Sequence, residues 1–88
     1  MSYSYNKESF ELLRDVMNAV REAKCIDFIK TFDSEKGFLF SKDPKLSIIK
    51  THLKQSDCSP YSLAFTLREC QHFLNNPSEW KALEEQFA

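Results

Sequence analysis

The sequence has little glycine and no long apolar run. Its one glycine in 88 residues leaves little material for phosphate-binding loops, for hairpin turns that need a positive φ, or for the repeated tight turns of a β-barrel. No stretch approaches the roughly 18 apolar residues of a membrane span, and the start, MSYSYNKESF, lacks the apolar segment of a secretory signal. We therefore expect a helical protein that works inside the cell, without a membrane among its partners.

The cysteines and the charges point to an ordinary intracellular protein. Three cysteines are an odd number, so they cannot all pair within one chain, and a reducing compartment that keeps them as thiols is the simplest account. The net charge is −1, with 12 basic and 13 acidic residues. We expect a cytoplasmic protein without disulfides and without a cofactor.

The composition is that of one small globular domain. Hydrophobic residues make up 42% of the chain and include eight Phe, three Tyr and one Trp, while 28% of the residues are charged. A chain of this length can bury a single modest core but not two. We expect one domain over residues 1–88, with residues 1–5 flexible, as a monomer or a small homo-oligomer.

Helix start signals recur along the chain. Asn6 precedes a long amphipathic segment, KESFELLRDVMNAVREAK, and serves as its predicted N-cap. Asp43-Pro44, Ser59-Pro60 and Asn76-Pro77 each place a capping residue before a proline at the first helical position. These signals predict a mainly α fold of about four helices.

Residues 26–40 fit two templates. As a two-stranded β-hairpin, one arm with Ile26, Phe28 and Phe32 faces the other arm with Phe38 and Phe40 across a turn at DSEKG, and the fold becomes α+β. As a helix, the segment extends the first helix, which then ends at the same DSEKG. The Phe-Leu-Phe run at residues 38–40 favours the hairpin, because its spacing suits a half-buried strand.

Apolar residues at helical spacing define the predicted core. The side chains that we expect inside are Leu13, Met17, Val20, Phe28, Phe38, Ile49, Leu53, Leu63, Leu67, Leu74 and Trp80.

The histidines and cysteines do not form a recognisable metal or catalytic site. Cys70 and His72 are two residues apart, about 200° around a helix, so they cannot bind one metal ion together. Cys58 lies just before a predicted helix start, where helix amides can activate a thiol, but a hydrophobic staple with Leu63 is the favoured interpretation. A thiol-dependent enzyme is therefore the third hypothesis, and we expect no catalytic residues and no bound metal.

A second stripe on the helix from Pro60 is the first candidate binding site. Tyr61, Phe65, Arg68 and His72 follow at helical spacing, offset from the leucine stripe. Aromatic residues and Arg dominate protein interfaces, which favours binding of another protein. The alternative is that the stripe is buried between two helices of the same domain. The first hypothesis is a non-enzymatic binding protein: an inhibitor, adaptor or regulator of another protein.

A lysine-rich segment gives the alternative. Residues 36–54 carry five lysines and one aspartate, a net charge of +4 in a chain of −1. Followed by a turn and the helix from Pro60, this segment is compatible with a helix-turn-helix that binds nucleic acid through Lys45, Lys50 and Lys54. The overall negative charge argues against it.

Overall fold

The fold is mainly helical, as the sequence predicts. The computed structural model describes residues 4–33, 35–55 and 58–88, which contain no β-strand. Their helical elements are α1 (Lys7–Glu22), α2 (Ile26–Thr31), a 3₁₀ turn (Phe38–Phe40), α3 (Pro44–Thr51), α4 (Pro60–Asn75) and α5 (Pro77–Gln86).

The first helix begins where the sequence predicts. The Asn6 side chain accepts a hydrogen bond from the Ser9 backbone N–H at 2.8 Å, and the Ser9 hydroxyl accepts one from the Asn6 N–H at 2.9 Å. This reciprocal capping box satisfies two backbone donors at the helix start, and a cap of this kind contributes about 1 kcal/mol.

Two of the three Asx/Ser-Pro signals are capped as predicted. The Asp43 carboxylate accepts from the Lys45 N–H at 2.9 Å, and the Ser59 hydroxyl accepts from the Ser62 N–H at 3.1 Å. Asn76 differs, because its side chain does not cap α5. Its Nδ2 instead donates to the His72 carbonyl at 2.8 Å, which closes the end of α4.

The β-hairpin considered for residues 26–40 does not form in the described part of that segment. The side-chain amide of Gln71, on α4, donates to the carbonyls of Ile29 at 2.9 Å and Phe32 at 2.7 Å. These bonds satisfy the end of a short helix, α2, and the Phe32 and Phe38 rings stack with centroids 4.2 Å apart. The contact between Phe32 and Phe38 that the hairpin required is thus present without strands in the described residues, and α2 is a separate helix rather than an extension of α1.

The core is organised around α4, which packs against α1, α2, the 3₁₀ turn and α5, while α3 packs against α1. Of the predicted core, Phe28, Leu53 and Leu74 are only half-buried at its edge. The other eight predicted side chains are buried: Leu13, Met17, Val20, Phe38, Ile49, Leu63, Leu67 and Trp80.

The flexible leader predicted for residues 1–5 falls largely on residues 1–3, outside the described residues. Tyr5 is half-buried, and its ring lies 6.3 Å from the Phe73 ring. Its hydroxyl donates a hydrogen bond to the Glu69 carboxylate on α4. The chain just before α1 is therefore held against α4.

Candidate binding surface

Two aromatic side chains of the predicted stripe stand out from α4 into solvent. Tyr61 is 74% exposed and Phe65 is 61% exposed. Residues four apart lie on the same side of a helix, one turn from each other. Burial of this side between two helices, the other interpretation of the stripe, is not found for these two residues.

A third aromatic side chain, Phe40 at the end of the 3₁₀ turn, is 81% exposed. It lies three residues after Gly37, whose φ is +71°. A Cβ added to Gly37 would lie 3.3 Å from Arg68 Nη2 and 3.9 Å from Phe40 Cδ2, so Arg68 and Phe40 flank this glycine. We call the surface formed by Phe40, Tyr61, Phe65 and Arg68 the aromatic face.

Phe40 is the member that sequence reasoning missed. Alternation in the Phe-Leu-Phe run predicted a strand with Phe38 and Phe40 on the same side. In the 3₁₀ turn Phe38 is 3% exposed and Phe40 is 81% exposed, because residues two apart in a helical turn point in different directions. The turn at DSEKG was predicted, but the approach of Gly37 to Arg68 on α4 has no signal in the local spacing.

His72, at the far end of the stripe, lies in a different environment from the other three. It is half-buried where α4 meets α5, and its Nε2 lies 3.1 Å from a carboxylate oxygen of Glu79. Its ring also contacts Phe73 edge-on, with centroids 5.2 Å apart. The exposed part of the predicted stripe is therefore Tyr61, Phe65 and Arg68.

A groove runs beside the aromatic face, between α3 and the first turns of α4. It contains two cavities of about 120 and 130 Å³, both of which are lined by Lys50, Pro60 and Leu63. We call this surface the α3–α4 groove. The lining of the first cavity is Phe38, Leu39, Ser41, Lys42, Asp43, Leu46, Ser47, Lys50, Pro60, Leu63, Ala64 and Leu67. The second is lined by Lys50, Leu53, Gln55, Cys58, Pro60 and Leu63.

The three lysines of the nucleic-acid alternative do not share one helix face. The Lys45 ammonium lies 5.2 Å from the centre of the Phe28 ring, whereas Lys50 lines the groove. Lys54 follows the end of α3, and its backbone N–H donates to Asp15 of α1 at 3.3 Å. Residues 52–59 separate α3 from α4, a longer connection than the three- or four-residue turn of a helix-turn-helix.

The thiols differ in accessibility. Cys25 and Cys70 are buried, whereas Cys58 is half-buried beside Leu63 in the second cavity, which is compatible with the predicted staple. Burial raises the pKa of the Cys70 thiol, and the nearby Glu69 carboxylate raises it further. Cys70 is therefore protonated and inert at neutral pH.

Both histidines are engaged with carboxylates. His52 Nδ1 lies 3.5 Å from Glu22 on α1, and His72 lies beside Glu79 on α5. Within residues 4–33, 35–55 and 58–88, no group of three or more His, Cys, Asp or Glu side chains is arranged to hold a metal ion.

Glu69 is the one charged residue among the buried side chains of the described core. Desolvation raises the pKa of this carboxyl above its ordinary value, and the hydrogen bond from Tyr5 offsets part of that shift. Folding therefore favours the protonated form of Glu69 relative to the unfolded chain.

In the part of the chain that the structure describes, no helix combines the length and the apolar character needed to cross a bilayer. Comparison with protein-family models, curated proteins and solved structures found no match. The candidate function therefore depends on the geometry of the aromatic face and the α3–α4 groove.

Proposed function

We propose that this chain is a small non-enzymatic domain that binds another protein through the aromatic face, as an inhibitor, adaptor or regulator. The observation that carries the proposal is the exposure of Phe40, Tyr61 and Phe65, at 81%, 74% and 61%. Every other aromatic side chain in the described residues is buried or half-buried.

The residue types of the face support a protein as the ligand. Tyr, Phe and Arg are enriched at protein interfaces, and anchors of this kind contribute most of the binding free energy. Grouped apolar side chains that remain in water are a liability for a free protein, whereas single exposed ones are unremarkable. A partner that covers the face removes that liability.

We place this binding in the cytoplasm, where the three thiols remain reduced. Either a monomer or a small homo-oligomer is compatible with the proposal, because the face belongs to one chain.

Capture from a lysate of the native host, followed by identification of the bound protein, tests the proposal. The double variant Tyr61→Ala/Phe65→Ala should lose the captured protein and keep its fold. Ile48→Ala is the matched control, because Ile48 is 47% exposed on α3 and lines neither cavity of the groove. Capture of the same protein at the same level by the double variant would refute the role of the face.

A titration with duplex DNA tests the alternative function. We expect no binding at low salt. Binding that weakens steeply as salt rises would instead assign the lysine-rich segment to nucleic acid.

A further inference from the structure

The two cavities of the α3–α4 groove are small and have lining residues in common. An apolar cavity of about 150 Å³ accommodates one benzene molecule, and the two cavities here, at about 120 and 130 Å³, are smaller and have both apolar and polar lining residues, so each suits one aliphatic side chain. The cavities are adjacent, since both are lined by Lys50, Pro60 and Leu63. Two apolar residues three or four positions apart on one helix lie on the same side of it and can enter two adjacent cavities.

The rim of the groove is cationic. Lys42 and Lys50 are exposed on it, and Lys50 lines both cavities. Asp43 is the one carboxylate among the described residues that line them, and it already accepts the Lys45 N–H at the start of α3. Arg68 adds a further positive charge on the neighbouring aromatic face.

The charge of the rest of the molecule makes this rim distinctive. Residues 36–54 carry +4, and the remaining residues sum to −5, so the chain as a whole is −1. Of the five lysines in this segment, Lys42 and Lys50 line the groove, and these two attract an acidic ligand to it.

We infer, on the basis of the protein-binding function proposed above, that the α3–α4 groove receives an acidic amphipathic helix of the partner. Two apolar side chains of that helix occupy the two cavities, and a carboxylate between them pairs with Lys50. Carboxylates at its edge face Lys42 and Arg68, so the partner covers the groove and the aromatic face together.

Selection from a display library of random peptides tests this inference without knowledge of the partner. Peptides of about 16 residues span about 24 Å as helices, enough to cross both cavities. The folded full-length chain is the target, and enriched peptides are synthesised and titrated by fluorescence anisotropy. We expect enrichment of net-negative peptides with two large apolar residues three or four positions apart.

Charge-reversed variants identify the site. Lys50→Glu should weaken binding of the enriched peptides about tenfold, because it replaces an attraction by a repulsion at a partly exposed position. Lys81→Glu, an exposed lysine on α5, is the matched control and should change the affinity less than about twofold. Binding should also weaken between about 50 and 500 mM salt.

Several outcomes would overturn the inference: no enriched peptides, an enriched pool without acidic bias, or binders that Lys50→Glu does not affect. Tight binding of a labelled oligothymidylate would assign the cationic rim to single-stranded nucleic acid. Self-association abolished by Lys50→Glu would assign the groove to a second copy of the chain.

The same peptides separate this inference from the proposed function. Binders that depend on Phe65 but not on Lys50 leave the aromatic face in place and refute the acidic occupant. Binders that depend on Lys50 but not on Tyr61 or Phe65 support the acidic occupant of the groove and argue against the aromatic face as the binding surface. If the selection yields none, the capture experiment still decides whether the aromatic face binds a protein.

Discussion

The exposure of the aromatic face can be tested by making one substitution at two places on the same helix. Phe65 is 61% exposed and Phe73 is 5% exposed. Phe73 packs against Trp80 with ring centroids 5.6 Å apart. Both residues lie inside α4. The substitutions Phe65→Ala and Phe73→Ala therefore remove the same side chain from the same helix, and the main difference between the two sites is burial.

The expected costs follow from that difference. A fully enclosed aromatic side chain buries about 200 Å², so the roughly two fifths of Phe65 that is covered corresponds to about 80 Å² and at most about 2 kcal/mol. Alanine has the higher helix propensity by about 0.5 kcal/mol, which leaves a loss of about 1 to 1.5 kcal/mol for Phe65→Ala. Phe73→Ala creates a cavity and should cost about 3 to 5 kcal/mol.

Thermal unfolding followed by circular dichroism measures both losses. In a domain of this size 1 kcal/mol shifts the midpoint by about 4 to 8 °C, so Phe73→Ala should melt about 10 to 25 °C below Phe65→Ala. Phe73→Leu provides a milder core variant if the alanine variant does not fold. Equal destabilisation by Phe65→Ala and Phe73→Ala would mean that Phe65 is part of the core and that the aromatic face is not available to a partner.

Three further predictions concern buried groups. Trp80→Phe should cost less than the roughly 3 to 5 kcal/mol of Trp80→Ala, because the indole N–H has no acceptor among the described residues; equal losses in urea unfolding would contradict this. Since the pKa of Glu69 is raised, its contribution to stability is lost as the pH rises through that pKa. Glu69→Gln, which can still accept from Tyr5, should therefore be more stable than wild type at pH 7, with the difference vanishing in acid; a constant difference would refute the assignment. In the native protein iodoacetamide should modify Cys58 well before Cys70, and equal rates by mass spectrometry would contradict the burial of Cys70.

The helices were predictable because their start signals are local. A capping residue before proline, or Asn6 before an amphipathic run, predicts a helix start from a few neighbouring residues. Helices α1, α3 and α4 begin as those signals predict. Residues 26–40 were less predictable because Gln71, about 40 positions away, determines how the end of α2 is satisfied.

The candidate site was predictable only where it depends on local spacing along one helix. Helical spacing identified Tyr61, Phe65 and Arg68 as one stripe. It could not identify Phe40, whose place beside Arg68 depends on a tertiary approach at Gly37, nor the contact between His72 and Glu79. The groove depends on the tertiary placement of α3 beside α4, which no local pattern encodes.

The central claim is that the aromatic face binds a protein, and calorimetric titration of the captured partner tests it most directly. Loss of two aromatic anchors should weaken the affinity of Tyr61→Ala/Phe65→Ala by about 30-fold or more, because each such anchor contributes at least about 1 kcal/mol. Ile48→Ala should match the wild type. An unchanged dissociation constant for the folded double variant would contradict the claim.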